Sequence, residues 1–190
     1  ALGRMGYTAA FDDVVQMLEE NNDEDVYLRH AGAIALARFD DGNALTDLSN
    51  HNSEAVRIAA VVALKRLEHP GSAQFLDDSS EFVVTNAARA ISDDAFVDEA
   101  MPDLAAMLDN PRFDSESLLR RIINANLYGG SPEDAQRLVR FSADTQQPVA
   151  MRAEALNTLK FWDAPSIFDR VTGRHRGQIQ NNADDARNAL

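Results

Sequence analysis

Four imidazoles, His30, His51, His69 and His175, are the side chains most able to bind a metal or move a proton near neutral pH. A metal site needs ligands that converge, as His-x-x-x-His does on one helix face. No pair here has that spacing, and no His-Glu dipeptide occurs. Adjacent carboxylates stand at Asp12-Asp13, Asp77-Asp78, Asp93-Asp94 and Asp184-Asp185. Neighbours in sequence diverge on a helix, so helix capping and solvation explain these pairs better than acid–base catalysis. Asp40-Asp41-Gly42-Asn43 lacks the spaced ligands and closing Glu of a calcium loop. There is no Gly-x-Ser-x-Gly, no Gly-rich phosphate loop and no cysteine. The expectation is therefore no catalytic residue, no metal ligand and no cofactor site in this segment.

Two polar sets remain. Arg29, Arg57, Arg120 and Arg152 recur at equivalent positions and form either an anion-binding stripe or a structural ladder. In the ladder, each guanidinium bonds carbonyls or acids in a neighbouring repeat's loop, work that suits its five donors. Placement near every helix start favours the ladder. Asn124 and Asn126 lie where neighbouring repeats use small or apolar residues. They are candidate polar contacts, either to the loop around residues 109–115 or to a ligand.

The elements that position these groups are repeated. Val56-Arg57-Ile58-Ala59-Ala60-Val61-Val62-Ala63-Leu64-Lys65-Arg66-Leu67 follows the pattern of Leu28-Arg29-His30-Ala31-Gly32-Ala33-Ile34-Ala35-Leu36-Ala37-Arg38-Phe39. Further copies begin at Val83, Leu119 and Met151, so the period drifts from 27 to 36 through loop length. A helical pattern at this spacing predicts stacked helix pairs. The first helices (A) are expected near 25–39, 54–67, 81–92, 115–128 and 148–162. Gly32, Ala60, Ala87 and Ala155 fill a small-residue slot where backbones approach; Ile123 breaks it.

Shorter second helices (B) are expected at 11–20, 44–48, 73–76, 104–108, 135–141 and 167–171. Phe11, Val14, Val15 and Leu18 give one buried stripe. Ser131-Pro132-Glu133-Asp134 is a helix start, with an N-cap Ser, Pro at the first position and acids in the first turn. The architecture predicted is all-α: an α–α superhelix of about five helix pairs over residues 1–171, with a partial N-terminal repeat. Residues 172–190 are expected to form a polar, extended C-terminal tail with a short helix from Asp184 to Leu190. Ala1-Leu2 and Met5 align with Ala63-Leu64 and Leu67, so the chain is expected to open inside a helix, as a fragment of a longer protein.

The 190 residues carry a formal charge of −13, which argues against a broad phosphate-binding surface and against nucleic acid as a partner. No run of 18 apolar residues occurs, so no membrane span is expected.

The pattern aliphatic-Arg-x-x-Ala-Ala-x-Ala-Leu-x-x-Leu, clearest at Val56 to Leu67, resembles HEAT repeats of the lyase-like class. A narrower likeness runs through Val26 to Ala31, Ala55 to Ala60, Val84 to Ile91 and Asp169 to Arg174. It resembles the HEAT segment of large bacterial dehydrogenase-like proteins that carry a β-propeller before it and a haem-binding cytochrome c domain after it. That resemblance implies an exported or periplasmic parent protein and an oxidoreductase activity outside this segment. It transfers no catalytic residue, because the propeller and Cys-x-x-Cys-His are absent here.

The expected function is a non-catalytic scaffold that binds protein or neighbouring domains, using the face lined by B helices. The alternative is a bilin lyase-like HEAT-repeat protein that binds a tetrapyrrole. Oligomeric state is not readable from the sequence.

Overall fold

Several of the longer helices of this chain start at a side chain that satisfies their first free amides. In the computed structural model, which describes residues 2–190, the helices are α1 Leu2–Met5, α2 Phe11–Asn21, α3 Val26–Phe39, α4 Gly42–Asp47, α5 Glu54–Leu67 and α6 Glu81–Ser92. They continue with α7 Met101–Ala106, α8 Glu116–Gly129, α9 Pro132–Ala143, α10 Val149–Lys160 and α11 Ala183–Ala189. Short 3₁₀ turns occupy Thr8–Ala10, Leu48–Asn50, Pro70–Asp77 and Met107–Asp109. Among the described residues there is no β-strand, only an isolated bridge between Phe168 and His175.

The start signals are side-chain caps. Asp25 accepts from the Tyr27 and Leu28 amides ahead of α3. Ser53 and Ser80 cap α5 and α6, each accepting the amide three residues on. Ser131 and Asp134 exchange bonds in a capping box at α9. Helix ends are marked by left-handed residues: Asn22, Asp40 and Glu68 close α2, α3 and α5, and Gly130 closes α8.

The α-carbon contacts divide the chain into two compact units, one ending at Ala100 and the other Met101–Leu190. In the first unit, α3 packs on α5 and α5 on α6, with α2, α4 and Pro70–Asp77 as their short partners. In the second, α8 packs on α7, α9 and α10, and α11 packs on α9. Both are built of adjacent helix pairs, and the fold is an all-α, HEAT-like solenoid.

Close approach is what the small residues allow. Ala59, Ala60, Ala87 and Ala88 have no accessible surface. A Cβ on Gly32 would stand 2.6 Å from the Leu18 side chain, and one on Gly3 would stand 2.8 Å from the Ala35 Cα. So α1 and α2 lie against α3 only because glycine stands at those points. In α8 the slot holds Ile123, which is itself buried.

Several expectations differ from the structure. The B segment at 73–76 is 3₁₀, not α, within Pro70–Asp77. The expected helix at 167–171 is absent. Asp169 there accepts bonds from the Val171 and Thr172 amides, Gly173 adopts φ +70°, and the chain turns back on itself. The segment at 172–190 is not an extended tail but part of the second unit. Its Asn181 donates to the Leu127 carbonyl at 2.9 Å, and Trp162 Nε1 donates to the Asn182 carbonyl at 3.2 Å. Ala1 lies outside the described residues, and Leu2 to Met5 are helical.

Ala60→Leu places three extra carbons in a slot with no free surface. It is expected to lower stability by about 1–3 kcal/mol, read by urea denaturation. An unchanged midpoint would contradict the repeat register.

Candidate functional site

The periodic arginines do not share one environment. Arg57 of α5 spans its own repeat and the next. It donates to the carbonyls of His51 (2.8 Å) and Asn52 (3.1 Å), and to both carboxylate oxygens of Asp78 at 2.6 and 3.2 Å. Asp78 also accepts from the Ser80 amide, so one carboxylate fixes the start of α6 and holds α5 to it. Arg152 reaches the Ser142 carbonyl behind it at 2.8 Å. Arg120 pairs with Glu116 in its own helix and, at 3.5 Å, with Glu154 of α10. Arg29 has a carboxylate only at 3.5 Å, from Asp23, and remains partly exposed. Each of the four faces carbonyls or carboxylates in its own surroundings.

The asparagines are internal ties. Asn126 Nδ2 donates to the Ala105 carbonyl of α7 at 3.0 Å and to the Ile122 carbonyl at 2.8 Å. Asn124 Nδ2 donates to Asp169 Oδ2 at 2.8 Å. Neither bonds the loop around residues 109–115, one of the two partners expected for them. That loop is held instead by Asp109, which receives Arg137 and Arg140 of α9 at 2.8 and 2.6 Å. The Oδ1 atoms of Asn124 and Asn126 are buried and without a partner among the described residues. An orphaned buried acceptor costs about 1–3 kcal/mol, which the amide donations offset.

Asp169 is the centre of this second unit's polar core. Burial would raise its pKa, but donors from Thr172, Asn124 and Val171 outweigh that and hold it below the ordinary carboxylate value. Tyr128 is pushed up to about 12, first by burial and then by the neighbouring Asp169 charge, with which it is also hydrogen-bonded. Sequence reasoning missed this cluster. The available signal was Asp169-x-x-Thr172-Gly173, an Asx-turn pattern ahead of a glycine.

Exposed apolar surface identifies a different candidate. Among the described residues, Val26, Tyr27 and Leu28 of α3, Phe82 of α6, and Val149 and Leu156 of α10 are exposed. These lie on A helices, while Tyr7, Phe161, Ile167 and Phe168 are exposed outside them. B helices present one apolar stripe and bury it, as Val14 and Leu18 in α2 or Leu138 and Phe141 in α9 show. Helix α3 contacts neighbours on more than one side and has no single apolar stripe, so some of its apolar surface is left uncovered.

In the first unit this surface frames a groove of about 360 Å³. Val26, Arg29 and His30 of α3 form one wall, and Phe82 and Asn86 of α6 the other. Ile58, Ala59 and Val62 of α5 form the floor. A second concavity of about 320 Å³, in the other unit, lies among Leu127, Phe161, Pro165 and Arg170. Its one guanidinium is already bonded to Glu154 at 2.7 and 2.9 Å. Both volumes fall at the lower end for small-molecule sites. No group of three or more His, Asp or Glu among the described residues could hold a metal ion, and no helix among them could cross a membrane.

The first unit thus repeats one short-then-long helix pair, with a capped A-helix start and a close A–A contact. Residues 12–92 match the family of HEAT repeats. That match covers all three helices that bound the groove. No curated protein and no solved structure gives a significant match to the chain. HEAT repeats are commonly protein-interaction scaffolds, and the HEAT-like pairs here present their uncovered surface on A helices.

Two outcomes follow from these environments. Asp78→Ala leaves Arg57 without its carboxylate in a site where their side chains are 12% and 4% exposed. A loss of about 3 kcal/mol is expected in urea, and a loss under about 0.5 kcal/mol would reduce the pair to a surface contact. For Tyr128, the neutral phenol is favoured in the folded state. Its contribution is full below the ordinary tyrosine value and fades as pH rises through about 12. An absorbance titration should show a tyrosinate step near 12 that Tyr128→Phe removes and Asp169→Asn moves downward. A step unmoved by Asp169→Asn would contradict the pairing.

Proposed function

We propose that this chain is a non-catalytic protein-interaction module, one part of a larger bacterial protein, that holds a partner or a neighbouring domain on its A-helix surface. The observation that carries this reading is the division of labour among side chains. The buried polar groups (Arg57, Asp78, Asn124, Asn126 and Asp169) tie helices and turns to one another. The uncovered side chains, Val26, Tyr27 and Phe82, are large and apolar. Large exposed apolar side chains grouped on adjacent elements mark interaction surfaces.

The likeness to exported dehydrogenase-like proteins supports a role beside a redox domain, and nothing in the matches bears on that activity. A tetrapyrrole-binding role would need a roomy apolar pocket with unengaged polar groups. Of the concavities described above, the one in the second unit is small and its Arg170 is engaged by Glu154.

Selection of a displayed library of folded peptides and small domains tests the module. Ligands should be enriched that lose binding when Tyr27 and Phe82 of the first unit, or Val149 of the second, are changed to Ser. Enrichment of ligands that ignore all three would contradict the A-helix surface. Stoichiometric, tight uptake of a bilin followed by absorbance would overturn the module reading in favour of the tetrapyrrole one.

A further inference from the structure

The formal charge is unevenly placed along the chain. Residues up to Ala100 hold 19 Asp and Glu against 7 Lys and Arg, whereas residues from Met101 hold 12 against 11. Almost the whole net charge therefore belongs to the unit that contains the α3–α5–α6 groove. Acids stand at the start of each helix bounding that groove: Asp25 caps α3, Glu54 opens α5 and Glu81 opens α6. Among the described residues, Glu54 and Glu81 have no ion-pair partner. Glu81 directly precedes Phe82, which is 52% exposed. The basic groups at the groove are few. Arg29 already faces Asp23, and His30 is the only other.

The groove has the dimensions of a helix seat. Helices α3 and α6 each contact α5 and flank it. Packed helices stand 8–10 Å apart, which sets the axes of α3 and α6 roughly 16–20 Å from one another. That span accommodates one helix of about 10 Å diameter above α5. The floor is apolar, lined by Ile58, Ala59 and Val62 of α5. The wall from Val26 to Ala33 covers about 10 Å of helix axis, or two turns of an occupant. An apolar floor, apolar walls and an unneutralised acidic edge call for a ligand with one apolar face and flanking positive charge.

We propose that the α3–α5–α6 groove seats an amphipathic α-helix of a partner protein that carries Lys and Arg beside its apolar face. The inference rests on the interaction-module reading and adds the place and the chemistry of the partner. The apolar face lies over Ile58 and Val62 between Val26 and Phe82. The basic flank lies toward Glu54 and Glu81. Charge sets the orientation and the encounter rate, and the apolar contact sets the lifetime.

Fluorescence anisotropy with three labelled peptides tests it on the full chain. One is a Leu/Lys amphipathic helix of about four turns, one is the same pattern with Glu for Lys, and one is a Leu/Lys sequence shuffled to have no apolar face. The Leu/Lys helix should bind, and the other two should bind at least about tenfold more weakly. Val26→Ser with Phe82→Ser, both exposed positions, should weaken the Leu/Lys helix about tenfold or more, while Val149→Ser in the other unit should not. Glu54→Gln with Glu81→Gln should weaken it and flatten its dependence on salt.

Equal binding of the shuffled peptide, or binding unaffected by the Val26 and Phe82 changes, means mere adsorption to an acidic surface and overturns the proposal. Preference for the Leu/Glu helix overturns it as well. If no Leu/Lys helix binds while library ligands still depend on Tyr27 or Val149, this inference fails and the module reading stands. If neither is seen, both fail.

Discussion

Every larger feature of this protein depends on how closely its A helices can approach. Ala59 and Ala60 on α5, and Ala87 and Ala88 on α6, bring the two backbones together with no surface left between them. Where α2 meets α3, the same end is reached by Gly32, which leaves room only for the Leu18 side chain. Close approach has two consequences. It makes dispersion contacts dense enough to hold short helix pairs that could not bury their faces alone. It also lowers the middle of the A-helix surface relative to its flanks. The groove over α5 is thus a by-product of the packing that stabilises the unit.

Polar side chains in the interior serve that packing. Arg57 and Asp78 join the start of one A helix to the start of the next, with Arg57 also holding the loop carbonyls of His51 and Asn52 ahead of α5. Asn126 joins α8 to α7, and Asn124 with Asp169 joins α8 to the reversal at residues 166–176. Each tie is satisfied by protein atoms on its donor side.

The repeat register made the A helices legible. The pattern from Val56 to Leu67 marks α5, and its copies lead to α3, α6, α8 and α10. Caps such as Ser53 and Ser131 were readable for the same reason, since local chemistry decides them. What stayed hidden depended on partners distant in sequence. Asn124 meets Asp169 across 45 residues, and nothing near Asn124 announces that contact. The segment at 167–171 has helix-like apolar residues, but the Asp169 turn and Gly173 override them. Residues 172–190 look polar enough for a free tail, yet the Asn181 side chain bonds the Leu127 carbonyl and the backbone carbonyl of Asn182 accepts from Trp162. Composition does not say which apolar residues stay uncovered. Tyr27, at 83% exposure directly after a helix cap, is visible only once neighbours are in place.

The central claim is that the A-helix surface of the first unit is where this protein meets its partner. Amide hydrogen exchange, with and without the Leu/Lys helix, addresses it directly. Binding should slow exchange around residues 26–33, 58–62 and 82–86 and leave α2 and α4 unchanged. Protection concentrated in α2 and α4, with α3, α5 and α6 unaffected, would place the interaction on the B helices and contradict the account.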